Sequence, residues 1–159
     1  MDRRKFSEQD FMDYMLDNAD LEKAMCQWNS SKKQFTDMIM VIKIIFKKCT
    51  ENRGLIVSVS DDTMQTGADN IQFCDSEKER MLNTVVDQRD QVYMLGFTSK
   101  ERFQAYCNDT SGIVMFMDDI FAVIDLKGEV DGIIINCGNE EVFLEKDFIS
   151  SMVQLVGEE

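Results

Sequence analysis

Histidine is absent from the 159 residues, and so is proline. Without histidine the chain holds no Ser-His-Asp or Cys-His nucleophile, no HExxH zinc site and no imidazole that changes charge near neutrality. Without proline no X-Pro bond slows folding or shapes a turn. Cysteine is present but unpatterned. Cys26, Cys49, Cys74, Cys107 and Cys137 are odd in number, far apart and free of any CxxC pair, which is neither a disulfide framework nor a zinc ribbon. Long apolar runs are missing too: the most apolar stretch, Met38 to Phe46, is interrupted by Lys43 and falls far short of the roughly 20 residues that cross a bilayer. Positive charge is scarce, with Lys+Arg 17 against Asp+Glu 30 and a net charge of −13. That field repels phosphate backbones and anionic lipid, so neither nucleic acid nor a membrane is an expected partner. No GxxxxGK[ST], GxGxxG or GxSxG segment occurs, and the sequence requires no cofactor.

What is there reads as a globular chain. Hydrophobic residues are 44% and charged residues 30%, near the average for a folded domain, and the length suits a single one. After Met1-Asp2-Arg3-Arg4-Lys5 the chain turns polar through Ser7, Glu8, Gln9 and Asp10, with no signal-peptide core. The expectation is a reduced, cytoplasmic protein of one α/β (α+β) domain over 1–159. In it a helical segment, 1–50, precedes an α/β core, 54–159, whose mixed β-sheet has about five to six strands packed with helices.

Periodicity places the elements. Phe6 and Phe11 form a hydrophobic staple around a Ser7–Asp10 capping box, predicting a helix over about 8–17 that buries Phe11, Met15 and Leu16. Leu21, Ala24, Met25 and Trp28 share one face of a second helix, about 19–28. Ser31 and Gln34 read as a capping box before a third helix reaching about Lys48. Its apolar residues Phe35, Met38, Ile39, Ile42 and Phe46 lie on one side, and Met40, Val41, Ile44 and Ile45 widen the girdle beyond one core face. Beyond Gly54 the period changes to two: Leu55, Val57 and Val59 alternate with Ile56, Ser58 and Ser60. Asp61–Asn70 reads as a loop and Ile71–Cys74 as a short strand. Met81–Val86 and Gln91–Phe97 form a hairpin, and Thr98 opens a helix carrying Phe103, Tyr106 and Cys107. Ile113–Met117 and Ile133–Ile135 are buried strands, the first followed by a helix capped by Asp118 and closed near Gly128. Val142–Leu144 is a strand before a terminal helix packing Phe148, Ile149, Met152, Val153 and Val156.

Several of these segments together resemble a known family. They are Leu21-Glu22-Lys23-Ala24 opening a helix, a second long helix, the strand Leu55 to Val59 and Phe97-Thr98-Ser99-Lys100-Glu101 after a strand. Gly132-Ile133-Ile134-Ile135-Asn136 and Val142-Phe143-Leu144 before the last helix complete the set. In order and spacing, from roughly Leu21 to Met152, they are similar to the SseB N-terminal-domain family, the bacterial family named for enhanced serine sensitivity. The match is weakest between Asp61 and Met81. Where that family often has proline, this chain has Ser58, Leu95-Gly96 and Cys137, in keeping with a chain that lacks the residue. The resemblance implies a compact α/β module with a regulatory or protein-binding role, and carries over no catalytic reaction and no site residues.

Four features invite a functional reading. Met40, Val41 and Ile44, on the over-wide girdle of the third helix, are candidate partner-binding residues. Methionines at 12, 15, 25, 38 and 40 either line an adaptable groove or fill gaps in the core. Asp118 and Asp119, between a strand and a helix, are either metal ligands, with Asp125, Glu129 and Asp131 as further candidates, or a cap and a first-turn acid. Asn136-Cys137-Gly138-Asn139 is either a reactive thiol, needing a nearby cation, or a tight loop; the other four cysteines are expected to be small buried hydrophobes. The leading expectation is a non-enzymatic interaction module that binds protein or itself. The alternatives are an acidic inhibitor or immunity protein against a basic toxin or nuclease, and a metal-assisted hydrolase using Asp118 and Asp119.

Overall fold

A computed structural model describes residues 8–60, 71–73, 81–106, 111–127, 129–138 and 140–157. Three helices come first: α1 (Glu8–Met15), α2 (Ala19–Ser30) and α3 (Phe35–Thr50). Strands β1 (Gly54–Ser60), β2 (Ile71–Phe73), β3 (Met81–Leu82), β4 (Thr84–Val86) and β5 (Val92–Phe97) follow. Then come α4 (Lys100–Tyr106), β6 (Ser111–Phe116), α5 (Met117–Lys127), β7 (Gly132–Ile135), β8 (Val142–Glu145) and α6 (Lys146–Gly157).

All strands join one mixed sheet whose main path runs β2-β6-β1-β5-β7-β8, with β3 beside β1 and β4 beside β5. β1 sits in the middle, antiparallel to both neighbours: Ile56 faces Phe97 of β5 and Leu55 faces Met115 of β6. β5 and β7 run parallel, Leu95 opposite Ile134, joined by a crossover through α4, β6 and α5. The alternation read from β1 holds. Leu55, Val57 and Val59 point to a core shared with α2, α3, α5 and α6, through Leu21, Met25, Val41, Ile45, Phe121, Ile124 and Ile149. Ile56 points the other way, into a core closed by Phe11, Met12 and Met15 of α1 and Phe103 of α4. The α/β fold is therefore three layers, helices on both faces of the sheet.

Three local expectations are corrected. The third helix has no capping box: Gln34 makes no side-chain cap, and the Ser31 hydroxyl donates backward to the Trp28 carbonyl at 3.3 Å. Its core face is also rotated from the expected one. Val41 and Ile45 are fully buried while Phe35 is 76% exposed. The reason is Lys48, 5% exposed at its side chain, whose Nζ donates to the Asp17 carbonyl at 2.9 Å and pairs with Asp20 at 2.7 Å. Burying this ammonium against the α1–α2 corner fixes the rotation of a helix whose apolar girdle is wider than one core face, because a buried charge needs its partners. Third, Met81–Val86 is two short strands, interrupted at Asn83, whose side chain donates to the Ser58 hydroxyl at 3.0 Å. The expected loop at 61–70, the residues Phe6, Ser7, Cys74 and Cys107, and the closure at Gly128 lie outside the described residues; so do the side chains of Met152, Val153 and Val156.

The Lys48 pair sets an acid limit. Burial opposes ionisation of Asp20, but the hydrogen bond from Lys48, the Leu21 amide and the lysine charge outweigh it and hold the carboxyl below its ordinary 3.8. A lowered native pKa gives stability that is present above 3.8 and lost as pH falls through the native value. Asp20→Asn is therefore expected to be less stable than the parent at pH 7 and to lose less further stability between pH 5 and pH 2. Urea titrations across that range check it; parallel acid limbs for the two proteins would count against the pair.

Candidate functional site

Three places gather side chains with chemical potential. The first is at the carboxyl ends of the parallel strands β5 and β7, where ligands commonly bind in α/β sheets. Here the strand ends are tied by a buried polar knot. The Thr98 amide donates to Asn136 Oδ1 at 3.0 Å, the Asn136 side-chain amide donates to Thr98 Oγ1 at 3.0 Å, and that hydroxyl donates to Glu22 of α2 at 2.6 Å. Asn18 adds a third arm. Instead of capping α2, its side-chain amide donates to the carbonyls of Gly54 and Thr98, each at 3.0 Å. Thr98 and Asn136 are at 0% and 2% exposure, so these polar groups hold one another in place of water.

Just outside the knot, Arg102 and Tyr106 of α4 face Asn136, Cys137 and Gly138 across a cavity of about 150 Å³. The turn explains its residues locally: Asn136 and Gly138 both take left-handed backbone, φ 59 and φ 91, conformations suited to asparagine and glycine. The structure does bring a cation to the half-buried Cys137, as thiol activation requires, but Arg102 is engaged by Glu140 at 3.4 Å. The volume suits a few waters rather than a metabolite.

The cysteines separate by environment. Cys26 is exposed, correcting the expectation that it is buried; Cys49 is buried, as expected. Burial, with the charge of Asp118 adding to it, pushes the Cys49 thiol up to about 12. At pH 8 that leaves about one thiolate in ten thousand. Of the three described cysteines, iodoacetamide at pH 8 is expected to label Cys26 first, Cys137 more slowly, and Cys49 only after unfolding, as peptide mass spectrometry would read. Early labelling of Cys49 would show that α3 opens locally.

Asp118 and Asp119 form the second place. Both are exposed in the first turn of α5, which begins at Met117, so Asp118 lies inside the helix and is not the cap expected of it. Asp118 Oδ1 accepts the amide of its neighbour Asp119 at 2.9 Å, and both acids lie in the first turn, where the helix dipole favours negative charge. Partial desolvation and then the charge of Asp118 hold the Asp119 carboxyl above its usual range. Among the described residues no three His, Cys, Asp or Glu side chains converge on a metal-sized space. Neither acid lines a cavity described here, so the arrangement supports helix initiation.

The third place is α3. Of the three candidate partner-binding residues, Val41 is withdrawn: it is fully buried between α3 and the sheet because Lys48 turns that face inward. Ile44 is half-buried against the same core, and Met40 remains at the surface with 52% exposure. Phe35, read as a core residue, joins it there, with Ile39 half-buried between them on the outward side. Sequence reading missed one feature of this face. Lys32, Lys33, Lys43 and Lys47 surround it, all exposed, a clustering visible in the sequence but hidden behind a chain-wide negative charge. Met12, Met15 and Met25 are buried, so for them the gap-filling reading stands.

Among the described residues no helix is long and apolar enough to cross a membrane. Comparison of the chain with protein-family models, curated proteins and solved structures finds no match.

Proposed function

We propose that this chain is a non-enzymatic protein-binding module that docks a protein partner along the outward face of α3. The observation that carries it is the exposure of two large apolar side chains within the first two turns of one rigid helix, Phe35 at 76% and Met40 at 52%. A helix anchored by Val41, Ile45 and Lys48 presents them in fixed positions, which lowers the ordering cost of a contact. A surface methionine adapts to a partner's shape. The same reading keeps the chain cytoplasmic, bacterial, without affinity for nucleic acid and similar to the SseB N-terminal domain. What supports the likeness is that the quoted segments fall on α2, α3, β1, the β5–α4 junction, β7 and β8 in the order it requires.

The test is capture from a lysate of the source cells by the immobilised chain and by a Phe35→Ser, Met40→Ser double variant, with captured proteins identified by mass spectrometry. One identified partner should be held by the parent and reduced about tenfold or more by the variant, since exposed aromatic and methionine anchors dominate such contacts. Thermal stability should be unchanged, both side chains being at solvent. Equal capture by the two proteins, or capture by neither, overturns the reading.

A further inference from the structure

The net charge is −13, yet the segment that leads into and forms α3 carries an excess of positive charge. Between positions 32 and 50, Asp37 is the one acidic residue, set against Lys32, Lys33, Lys43, Lys47 and Lys48. Lys48 is consumed by Asp20 and the Asp17 carbonyl, and Lys47 shares its charge with Glu51 at 3.7 Å. Lys33 lies 6.0 Å from the Trp28 ring, and all four outer lysines are exposed. Helical spacing sets Phe35, Ile39, Lys43 and Lys47 in one i, i+4 row with Met40 on its flank, so the apolar residues lie between the cations that precede the helix and those of its second half.

The head of the helix adds to the same field. Lys32 and Lys33 both sit in left-handed backbone, φ 58 and φ 60, where glycine or asparagine is the easier occupant. The corner thus carries two ammonium groups despite a backbone cost. Directly after it, α3 starts with no side-chain cap at Gln34, and Asp37 in its first turn is the one acid between positions 32 and 50.

We infer that the segment docking here is acidic and apolar: an amphipathic stretch of another protein. Its aliphatic or aromatic side chains cover Phe35, Ile39 and Met40, and its carboxylates face Lys32, Lys33, Lys43 and Lys47. This rests on the docking reading above and supplies the partner's chemistry. Charge complementarity selects the occupant. A second copy meeting this face symmetrically would set lysine on lysine. An anionic bilayer would meet the same patch but also the field of the whole chain, which repels it.

Fluorescence anisotropy with the full chain tests it, using three labelled peptides of about 20 residues with one shared Leu/Phe stripe and Glu, Ser or Lys on the polar face. The Glu peptide should bind tightest and weaken about tenfold between 50 and 300 mM salt. Lys43→Glu with Lys47→Glu should weaken it about tenfold or more, while Arg89→Glu, on the distant β4–β5 hairpin, should leave it unchanged. Circular dichroism and Tm confirm that each variant is folded. Equal or tighter binding of the Lys peptide, no binding of any peptide, or a Glu peptide indifferent to the lysine substitutions overturns the inference. So does tighter association with phosphatidylserine vesicles, or a dimer in light scattering that buries this patch. A partner captured through Phe35 and Met40 that ignores the lysine substitutions overturns the acidic chemistry alone and leaves the docking reading standing.

Discussion

Asn136→Leu is expected to destabilise the fold by about 3–5 kcal/mol, a drop in Tm of roughly 10 °C. Asn136 is 2% exposed and terminates β7, where its side chain accepts the Thr98 amide and donates to the Thr98 hydroxyl. Leucine keeps much of the volume and removes both bonds. The Thr98 amide is then left buried with no partner, and the hydroxyl loses the donor that aims it at Glu22. A bulkier residue at φ 59 adds backbone strain. Asn136→Gly separates the two costs, since it relieves the strain but loses the same bonds. If chemical denaturation places Asn136→Leu within about 1 kcal/mol of the parent, the knot does not tie β5 to β7 and water replaces it without penalty.

Phe103→Ala is expected to cost about 3–5 kcal/mol, the range for removing a buried phenylalanine ring. The ring is fully buried, meets Phe97 edge to face with centroids 5.6 Å apart, and lies against Gly112 of β6. A Cβ on Gly112 would come within 3.0 Å of Phe103 Cζ, so the glycine is what makes room for the ring. Phe103 is also the buried anchor of α4, a helix of 7 residues. Without it, Arg102 and Tyr106 lose their fixed place beside Cys137, and alkylation of Cys137 should accelerate along with the fall in Tm. A fall in Tm with unchanged Cys137 kinetics would mean that other contacts of α4, such as the Tyr106 ring on Phe97, hold it in place.

Much of this architecture was legible because local pattern and tertiary role agreed. Leu21, Ala24 and Met25 mark one face of α2, and all three are buried. The alternation in β1 separates two cores correctly. Legibility failed where local signals were degenerate. The apolar girdle of α3 is wider than one core face, so periodicity alone did not fix its rotation; the decisive residue was a lysine, a type normally assigned to solvent. The break at Asn83 depends on β1 ending beside β3 while β5 holds β4, a pairing no short window contains. Asn136 was legible as a turn residue, and its turn role is real. Its inward bonds to Thr98 were not, because they join positions 38 apart in the chain.

The central place of β1 governs how this chain must emerge from a ribosome. At synthesis rates of about 5–20 residues per second, the strand is complete several seconds before its two flanking strands are made. β5 ends at Phe97 and β6 at Phe116. During that interval α1 to α3 and β1 exist as a nascent fragment in which Leu55, Val57, Val41 and Ile45 meet one another but lack the later half of their core, Met94, Phe121, Ile124 and Ile149 among it. Apolar surface left open in this way is prone to aggregate, and slowed translation between Ser60 and Phe116 would lengthen its exposure. The choice of a middle strand so early in the chain makes correct assembly depend on the tempo of its second half.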